Sequence, residues 1–451
     1  MNIKQPLLIY NTLSRQKETF KPQQEGKVKM YVCGVTVYDH CHLGHARAYV
    51  AFDTVRRILQ YFNYDVTYVQ NFTDIDDKII ARCNELGTDL KTLTNQFIDS
   101  YHEDMKKLNI LPATFYPKAT KHIDSIIAMI KTLIDKNCAY SCDGDVYFDV
   151  NSAKEYGRLS NKVLEDLLAG ARVELGDKKK NPLDFVLWKK AKENEPFWNS
   201  PWGNGRPGWH IECSAMAKEI LGEHIDIHAG GNDLIFPHHE NEIAQSECAN
   251  GCCFSSYWMH NGFVNLNDRK MSKSTQNFIT LKQCLKSYSG EALRFFLLKT
   301  HYRHPLQFSK EGLDEATNAY ARLCQTVFSS FKKEPCADLQ SSFLKLKQDF
   351  LNAIANDFNA AEAIGFLFDI NKLCNQSQSG KQLLKELGSI LGLFTQNPVK
   401  KEVPEAAMLL INKRTQARKD KNFELSDQLR DQLLNEFNIQ IKDTREGVII
   451  L

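Results

Sequence analysis

The fold of the chain is decided by residues 28–69, which read VKMYVCGVTVYDHCHLGHARAYVAFDTVRRILQYFNYDVTYV. At the start of this stretch apolar and polar side chains alternate, which predicts a short strand over residues 28–32 that runs into Cys33. Apolar residues then recur at steps of three and four along residues 43–61, as on the buried face of a helix. A second strand is predicted over residues 66–69. Strand, helix and strand in succession form a βαβ unit, which opens a doubly wound parallel sheet of the α/β class.

Length and composition describe an ordinary globular chain. Its 451 residues are 43 % hydrophobic and 25 % charged, and at about 100–200 residues per domain they predict two to four domains. The net charge of +2 excludes a strongly basic or acidic molecule as a whole, so a nucleic-acid partner would have to be met by local patches. Thirteen cysteines, an odd number without a regular framework, argue against a disulfide-stapled secreted fold.

No segment of the sequence predicts a membrane span or a secretory route. The best candidate for a span, residues 125–134, is interrupted by Lys131 and falls short of the roughly 18 residues that cross a bilayer. The first 22 residues contain Glu18 and lack the apolar core of a signal peptide. We therefore expect a cytoplasmic protein with reduced thiols and no membrane partner.

The rest of the chain is divided by changes in pattern. Residues 113–207 change character and have the features of an insertion, with an amphipathic helix at 122–134 and a turn at 143–145. The later elements are predicted in this order: a strand at 225–227, a helix from about residue 236, a strand at 258–264, a mainly helical region from residue 291, a linker at 396–404 and one last helix at 406–436.

A histidine motif, DHCHLGH at residues 39–45, lies at the turn from the first strand into the helix. His42 and His45 are three residues apart and share one face at the helix N-terminus, while Gly44 leaves room for a ligand to approach the backbone. Helix N-terminal amides with two imidazoles suit a phosphate, and open α/β sheets bind ligands at this position. The alternative is that the histidines only cap the helix or face water.

A basic loop, DRKMSKS at residues 268–274, follows a predicted strand. Lys270 and Lys273 flank a small hydroxyl residue, and on a mobile loop they would close over a polyphosphate and neutralise its charge. The alternative is an ordinary solvated surface loop.

Four residues of metal-binding type are spread over the chain: Cys33, Cys213, His238 and Glu242. His238 and Glu242 are four apart, so a helix would present them on one face. Two thiolates, an imidazole and a carboxylate are plausible ligands of Zn²⁺. Spacing alone does not settle the set, because free cysteines such as Cys213 are most often small buried hydrophobes.

These motifs resemble those of a known family. Residues 42–45, HLGH, and 270–274, KMSKS, are similar to the HIGH and KMSKS signatures of class I aminoacyl-tRNA synthetases, and they occur in the right order. More specifically, three stretches resemble cysteinyl-tRNA synthetases: MYVCGVTVYD at 30–39, PGWHIECSAM at 207–216 and FPHHENE at 236–242. The resemblance runs over nearly the whole chain, but residues 444–451 depart from it, since they are short and apolar where relatives often carry a basic, Trp-containing end.

The resemblance implies which molecules and ions the protein binds and which residues bind them. It implies that the four residues of metal-binding type hold one Zn²⁺, which binds the substrate thiol directly and so separates cysteine from serine. It implies that Thr73, Trp209 and Asp233 line the cysteine pocket, with Asp233 pairing with the ammonium group. It also implies ATP with Mg²⁺, bound by Gly44, His42 and His45, with the pyrophosphate held by Lys270 and Lys273. The implied partners are L-cysteine, ATP and tRNA(Cys), and the implied oligomeric state is a monomer.

Two basic patches are candidates for tRNA contact. The first contains Arg294, Tyr302 and Arg303, and the second contains Lys413, Arg414, Arg418, Lys419 and Lys421. Phosphate contacts of such side chains would position the RNA. The alternative is a solvated helix face whose charge is balanced by Asp427 and Asp431.

The resemblance also orders the domains. It implies a Rossmann-type catalytic domain with a doubly wound parallel sheet and an insertion, followed by an α-helical bundle and a small C-terminal tRNA-binding domain. The predicted division is 1–114 and 208–260 for the catalytic domain, 115–207 for the insertion, 261–305 for the KMSKS loop and stem-contact region, 306–396 for the bundle and 397–451 for the anticodon-binding segment.

Two rival functions stand beside the synthetase. One is a tRNA-independent ligase that couples activated cysteine to an amino-sugar in thiol biosynthesis, and it would lack the C-terminal helical part that this chain has. The other is a zinc-stabilised RNA-binding protein without catalysis, which would not need the histidines and lysines of both signatures.

Overall fold

The structure is a computed structural model that describes the backbone of most of the chain. It describes residues 6–162, 179–266, 269–270, 279–328, 337–374, 378–395, 404–437, 439, 441–444 and 447–450. The predicted catalytic Lys273 and most of the predicted linker at 396–404 lie outside these described residues, and of Lys270 only the backbone is described.

Strands and helices alternate in the first half of the chain, and helices dominate the second. The strands are β1 Leu8–Asn11, β2 Gln16–Thr19, β3 Lys27–Thr36, β4 Asp65–Thr73, β5 Ala139–Cys142, β6 Asp145–Phe148, β7 Phe185–Lys190, β8 Gly205–Pro207, β9 Ile225–Gly231, β10 Ser255–Asn261, β11 Val264–Leu266, β12 Arg269–Lys270, β13 Leu306–Phe308, β14 Ile441–Thr444 and β15 Gly447–Ile450. The helices are α1 Leu43–Tyr61, α2 Asp77–Leu86, α3 Leu90–Lys107, α4 Ile123–Asp135, α5 Trp209–Leu221, α6 Glu240–Asn250, α7 Leu281–Ser287, α8 Gly290–Leu298, α9 Lys310–Phe328, α10 Ala337–Ala355, α11 Ala360–Cys374, α12 Gln378–Ile390, α13 Glu405–Lys419 and α14 Phe423–Phe437.

The central sheet has four parallel strands in the order β10-β9-β3-β4. It confirms the predicted βαβ unit, because α1 connects β3 to β4. Strand β4, which follows β3 in the sequence, pairs with one edge of β3, and the later strand β9 pairs with its other edge. The strand order therefore reverses between β3 and β9. In open α/β sheets such a reversal leaves a crevice outside the carboxyl ends of the strands, where ligands bind.

Strand β3 is buried on both faces, as a central parallel strand must be. Met30 and Val32 pack on the side of α1, whereas Tyr31 and Cys33 pack on the other side, against α5 and α6. The pairing with β4 shifts register between Val32 and Val35. Gly34 allows this bulge, because a Cβ there would lie 1.5 Å from the carbonyl oxygen of Asn71.

The insertion predicted from the change of pattern contains its own sheet. Strands β5 to β8 form a four-stranded antiparallel sheet, whose core includes Phe148, Leu187 and Trp188 from the sheet and Ile126 and Ile130 from α4. Strand β8 leads through Gly208 directly into α5. The sheet therefore supports the start of a helix that returns to the catalytic half. The exact domain boundaries remain predictions.

Two predicted elements were wrong in extent. The strand predicted at 258–264 is two strands, β10 and β11, which belong to different sheets. The single helix predicted at 406–436 is two helices, α13 and α14. The break falls at Lys421, whose φ of 59° is left-handed, and Asn422 then accepts a hydrogen bond from the amide of Leu425 at 3.1 Å, which starts the second helix.

Two of the arginines predicted to contact tRNA, Arg294 and Arg414, are buried inside the fold. Arg294 is fully buried; its Nη2 donates to Asp53 Oδ2 at 2.5 Å and its Nε donates to the carbonyl oxygen of Leu391 at 2.7 Å. Arg414 is also buried. The prediction that these two guanidinium groups contact tRNA is wrong, because a buried group does not reach an RNA phosphate.

The neighbouring pair of the first patch has a similar role. The hydroxyl of Tyr302, a buried residue, donates to Asp357 Oδ1 at 2.8 Å, and Arg303 Nε donates to Asp357 Oδ2 at 2.7 Å. These contacts tie the start of the helical half to the turn between α10 and α11.

The four remaining cations of the second patch are exposed: Lys413, Arg418, Lys419 and Lys421. Among the described helices, none has the length and apolarity that crossing a membrane requires.

Candidate active site and metal cluster

The four residues of metal-binding type meet at the carboxyl end of β3. Cys33 lies in β3, Cys213 in α5, His238 in the turn before α6 and Glu242 in α6. One potential ligand atom of each lies within 4.8 Å of those of the others, and all four side chains are buried. Residues separated by about 200 positions in the sequence are thus brought together. We call this set the Cys-His-Glu cluster.

Short contacts hold the Cys-His-Glu cluster together. Glu242 Oε1 lies 3.5 Å from Cys33 Sγ and 3.1 Å from His238 Nε2. The opposite ring nitrogen of His238, Nδ1, lies 2.9 Å from His210 Nδ1. The helix expected to present His238 begins only at Glu240, and a wider turn over Ile235–His239 precedes it, but the pair still meets as the spacing predicted.

Two further histidines surround the same carboxylate. His228 Nε2 lies 2.9 Å from Glu242 Oε2, and His239 Nε2 lies 3.3 Å from Cys33 Sγ. With Cys33 and Glu242 they form a second possible ligand set. No pattern in the sequence ranks these histidines as ligands. The only local signal was that His239 follows His238 directly.

The electrostatics of the cluster suit a cation. Burial lowers the pKa of His238, and that of His210, to about 3, so both imidazoles are neutral at pH 7 and offer a lone pair. Burial raises the pKa of the Cys33 thiol well above its usual range, and the Cys213 thiol and Glu242 add to the shift. A bound cation reverses this balance by favouring the thiolates. Two sulfurs, one imidazole and one carboxylate match the donor chemistry of a zinc site.

The residues expected to line a cysteine pocket lie at the ends of β4 and β9 and at the start of α5. Trp209 begins α5, is 39 % exposed, and stacks on the His238 ring with centroids 4.3 Å apart. Thr73 ends β4, is buried, and donates from Oγ1 to Glu212 Oε2 at 3.0 Å. Asp233 lies in the turn Asn232–Leu234 after β9, where it is exposed. All three therefore come from elements that end at, or start from, the crevice.

The histidine motif caps helix α1. His42 Nδ1 accepts from the amide of Gly44 at 3.0 Å, and His45 Nδ1 accepts from the amide of His42 at 3.3 Å. The two rings are stacked, with centroids 3.8 Å apart. A Cβ on Gly44 would lie 2.8 Å from the His42 ring. The space that Gly44 leaves is thus next to the imidazole of His42.

The basic loop starts and ends near this helix. Strand β12 places Lys270 opposite Asn265 of β11. After residues 271–278, which lie outside the described part, the chain returns at Ile279 and Thr280. The carbonyl of Ile279 accepts from the amide of Leu43 at 3.3 Å, the amide of Leu281 donates to the carbonyl of Cys41 at 2.8 Å, and Thr280 bridges to His42. The two sequence signatures therefore share one region of the fold.

Comparisons with known proteins agree with this arrangement. A family model described as "tRNA synthetases class I (C) catalytic domain" matches residues 19–318, and a DALR domain model matches residues 349–395. Among solved structures, Mycobacterium tuberculosis methionyl-tRNA synthetase in complex with methionyl-adenylate has a TM-score of 0.58 at 15 % identity, covering 89 % of this chain and 96 % of that one. That likeness confirms the Rossmann-type α/β fold.

Curated relatives are much closer in sequence. The cysteine–tRNA ligase of Hydrogenovibrio crunogenus is 51 % identical, over 98 % of this chain and 98 % of the relative. The cysteine–tRNA ligase of Caldicellulosiruptor saccharolyticus is 49 % identical, over 97 % of this chain and 98 % of the relative. About half of the residues are thus identical along nearly the whole of each pair. The chain belongs to the cysteine–tRNA ligase family, within the class I aminoacyl-tRNA synthetases.

Proposed function

We propose that the chain is a cysteine–tRNA ligase. It would activate L-cysteine with ATP to cysteinyl-adenylate and transfer the cysteinyl group to the 3′ end of tRNA(Cys). The observation that carries this proposal is the buried Cys-His-Glu cluster at the same sheet edge as the histidine motif of α1. A soft-donor site beside a phosphate-type site fits a substrate with a thiol and a reaction that uses ATP.

Zn²⁺ fits the Cys-His-Glu cluster best, with Cys33, Cys213, His238 and Glu242 as its ligands. When bound, it would supply a Lewis acid that prefers the soft thiolate of cysteine to the hydroxyl of serine. The protein itself would keep His238 neutral by burial and hold its ring between Trp209 and His210. A pocket without such a selector would separate two close analogues poorly.

The remaining pocket residues would orient cysteine. Trp209 would close one wall with its ring, Asp233 would pair with the ammonium group, and Thr73 would lie at the end of β4 beside it. Held in this way, the cysteine carboxylate would point its oxygen at the α-phosphorus of ATP. Such fixed geometry converts an encounter of two molecules into a reaction within one complex.

The start of α1 and the basic loop would bind ATP. His42 and His45 would donate from Nε2 to the phosphates, since their Nδ1 atoms already form the cap, and Gly44 would leave room for a phosphate to approach the backbone. Lys270 and Lys273 would neutralise the departing pyrophosphate. Mg²⁺ bound with ATP would neutralise further phosphate charge.

The C-terminal half would bind tRNA. The cations Lys413, Arg418, Lys419 and Lys421 are exposed and would contact phosphates, which positions an RNA without reading its bases. The terminal adenosine would take the cysteinyl group on its 2′-hydroxyl. We also propose that the enzyme is a cytoplasmic monomer, as the resemblance implies.

The amino-sugar ligase is not favoured. Such a ligase would not need the helical part, whereas the DALR domain model matches residues 349–395 of this chain. The relatives named cysteine–tRNA ligase also match over nearly their entire length.

The decisive experiment is aminoacylation with purified protein. The protein, ATP and tRNA(Cys) should yield cysteinyl-tRNA with labelled cysteine, and none with labelled serine as the matched control. Cysteine-dependent ATP–pyrophosphate exchange without tRNA charging would instead support the amino-sugar ligase. The absence of both reactions would support the passive RNA-binding protein.

Gly44→Ala tests how the start of α1 is shaped. The new methyl group would meet the His42 ring at 2.8 Å and push it aside. We expect cysteine-dependent exchange to fall about ten-fold, which corresponds to a displacement that costs about 1.4 kcal/mol in the transition state. Exchange kinetics at saturating ATP would measure it, with Gly365→Ala as a control, because a Cβ there meets nothing within 4 Å. Equal rates for the two variants would contradict the role given to the His42 ring.

A further inference from the structure

A buried carboxyl group beneath the pocket has no role so far. Glu212 lies in the first turn of α5 and is 1 % exposed. Its Oε2 accepts the hydrogen bond of the Thr73 hydroxyl at 3.0 Å. Its Oε1 has no hydrogen-bond partner among the described residues. A carboxyl group buried in this half-satisfied state costs free energy, so packing alone does not explain it.

The position of Glu212 connects it to the site. It follows Trp209 by three residues, which places the two side chains on neighbouring parts of one helix face, and it precedes Cys213 directly. The cation whose charge acts on Glu212, Arg206, is paired with Asp77 and lies 3.8 Å from Glu195. Within the part of the chain that the structure describes, no basic side chain forms an ion pair with Glu212. Its one observed partner is therefore Thr73.

The hydrogen bond fixes which way the Thr73 hydroxyl points. A hydroxyl has one proton to donate and two lone pairs that accept. Because the proton is given to Glu212, the Thr73 oxygen presents only lone pairs to other groups. It would then accept from an ammonium group and would not donate to an oxygen of the substrate.

We propose that Glu212 is a positioning residue for substrate recognition, which acts by fixing the Thr73 hydroxyl as an acceptor for the ammonium group of cysteine. This inference rests on the proposed function, since it assumes that Thr73 lines the cysteine pocket. Together with Asp233, the Glu212–Thr73 pair would then distinguish an α-amino thiol from a thiol without an amino group.

The test compares cysteine with 3-mercaptopropionate, which keeps the thiol and the carboxylate but lacks the amino group. In Glu212→Leu the KM for cysteine in ATP–pyrophosphate exchange should rise about ten-fold, as for one lost hydrogen bond to a charged group. The KM for ATP, the inhibition constant of 3-mercaptopropionate and the zinc content by elemental analysis should match those of the unmodified protein. Glu212→Gln, which keeps an acceptor for the hydroxyl, should restore most of the loss.

Two further variants keep the test decisive if Glu212→Leu folds poorly. Thr73→Val removes the hydroxyl and should raise the KM for cysteine by the same factor, while sparing 3-mercaptopropionate. Glu240→Gln is a matched control, because Glu240 is equally buried but both of its oxygens accept backbone amides, from Leu159 and Ser160. It should leave the preference for cysteine over 3-mercaptopropionate unchanged.

The inference is overturned if cysteine and 3-mercaptopropionate weaken equally, if zinc is lost from Glu212→Leu, or if Glu212→Gln is as impaired as Glu212→Leu. Each of these results would assign Glu212 to the shape or the metal content of the site instead. Failure of the proposed function is distinct, since the unmodified protein would then show no cysteine-dependent exchange at all.

Discussion

Cys213→Ser is expected to remove the metal from the protein and to abolish cysteine activation. A serine hydroxyl is a poor ligand for Zn²⁺ beside a thiolate. We expect about one zinc per chain in the unmodified protein and much less in the variant. Cysteine-dependent exchange should fall roughly 1,000-fold. Loss of a residue that only supports a metal ligand typically lowers metal affinity or activity by about 10–100-fold, and loss of a ligand itself should cost more. Elemental analysis and exchange kinetics on the same preparation would measure both effects.

A buried cysteine outside the cluster provides the control. Cys374 in α11 is fully buried in the helical half, so Cys374→Ser should cost stability for similar reasons while zinc and exchange activity remain. If Cys213→Ser retains one zinc per chain, the ligand set is wrong. The second set, which contains His228 and His239 in place of Cys213 and His238, would then be the site, and His239→Asn should release the metal.

The choice between the two sets shows where prediction from the sequence ends. The βαβ unit was predicted because its signals are local, and α1 begins and ends at the predicted residues 43 and 61. The meeting of Cys33 with Cys213 is not local, since it depends on β3 and α5 packing on the same side of the sheet. Only the resemblance to a family supplied that set. His239, which contacts Cys33, follows the predicted ligand His238 directly, but nothing else in the local sequence marks it as a ligand.

Basic residues in the sequence were the least reliable basis for predicting which side chains contact tRNA. Arg294 and Arg414 were grouped with surface cations because both lie in basic stretches, but each is buried. Burial of an arginine depends on a tertiary partner, as Asp53 is for Arg294, and no periodicity reveals that partner. The break between α13 and α14 was not predicted for a similar reason. Lys421 adopts a left-handed backbone conformation, which a lysine can adopt but which its residue type does not predict.

The two interpretations of the histidine motif do not exclude each other. His42 is the N-cap of α1, and its side chain accepts from the helix backbone, as the structural interpretation predicts. The same contact fixes the ring at the N-terminus of a helix, and helix N-termini in general favour phosphate. Capping therefore holds the imidazole in position, and catalysis needs groups that are held in position before the charge develops.

His42→Asn separates the two roles. Asparagine is among the best N-cap residues, so its side chain should keep the cap and the melting temperature should stay close to that of the unmodified protein. The imidazole that would meet the phosphates is lost. We expect the kcat of cysteine-dependent exchange to fall roughly 100–1,000-fold, the range for removing one donor aimed at developing charge, with little change in the KM for ATP.

Two comparison variants complete this experiment. His42→Ala removes both roles, so it should match the kinetic loss of His42→Asn and in addition lose about 1 kcal/mol of stability with the cap. His122→Asn is the matched control, because His122 also precedes a helix but makes no capping hydrogen bond and instead contacts Glu219 of α5. Full exchange activity in His42→Asn would mean that the histidine only caps α1. A kinetic loss without a loss of stability would assign the imidazole to the reaction, since the cap alone does not account for it.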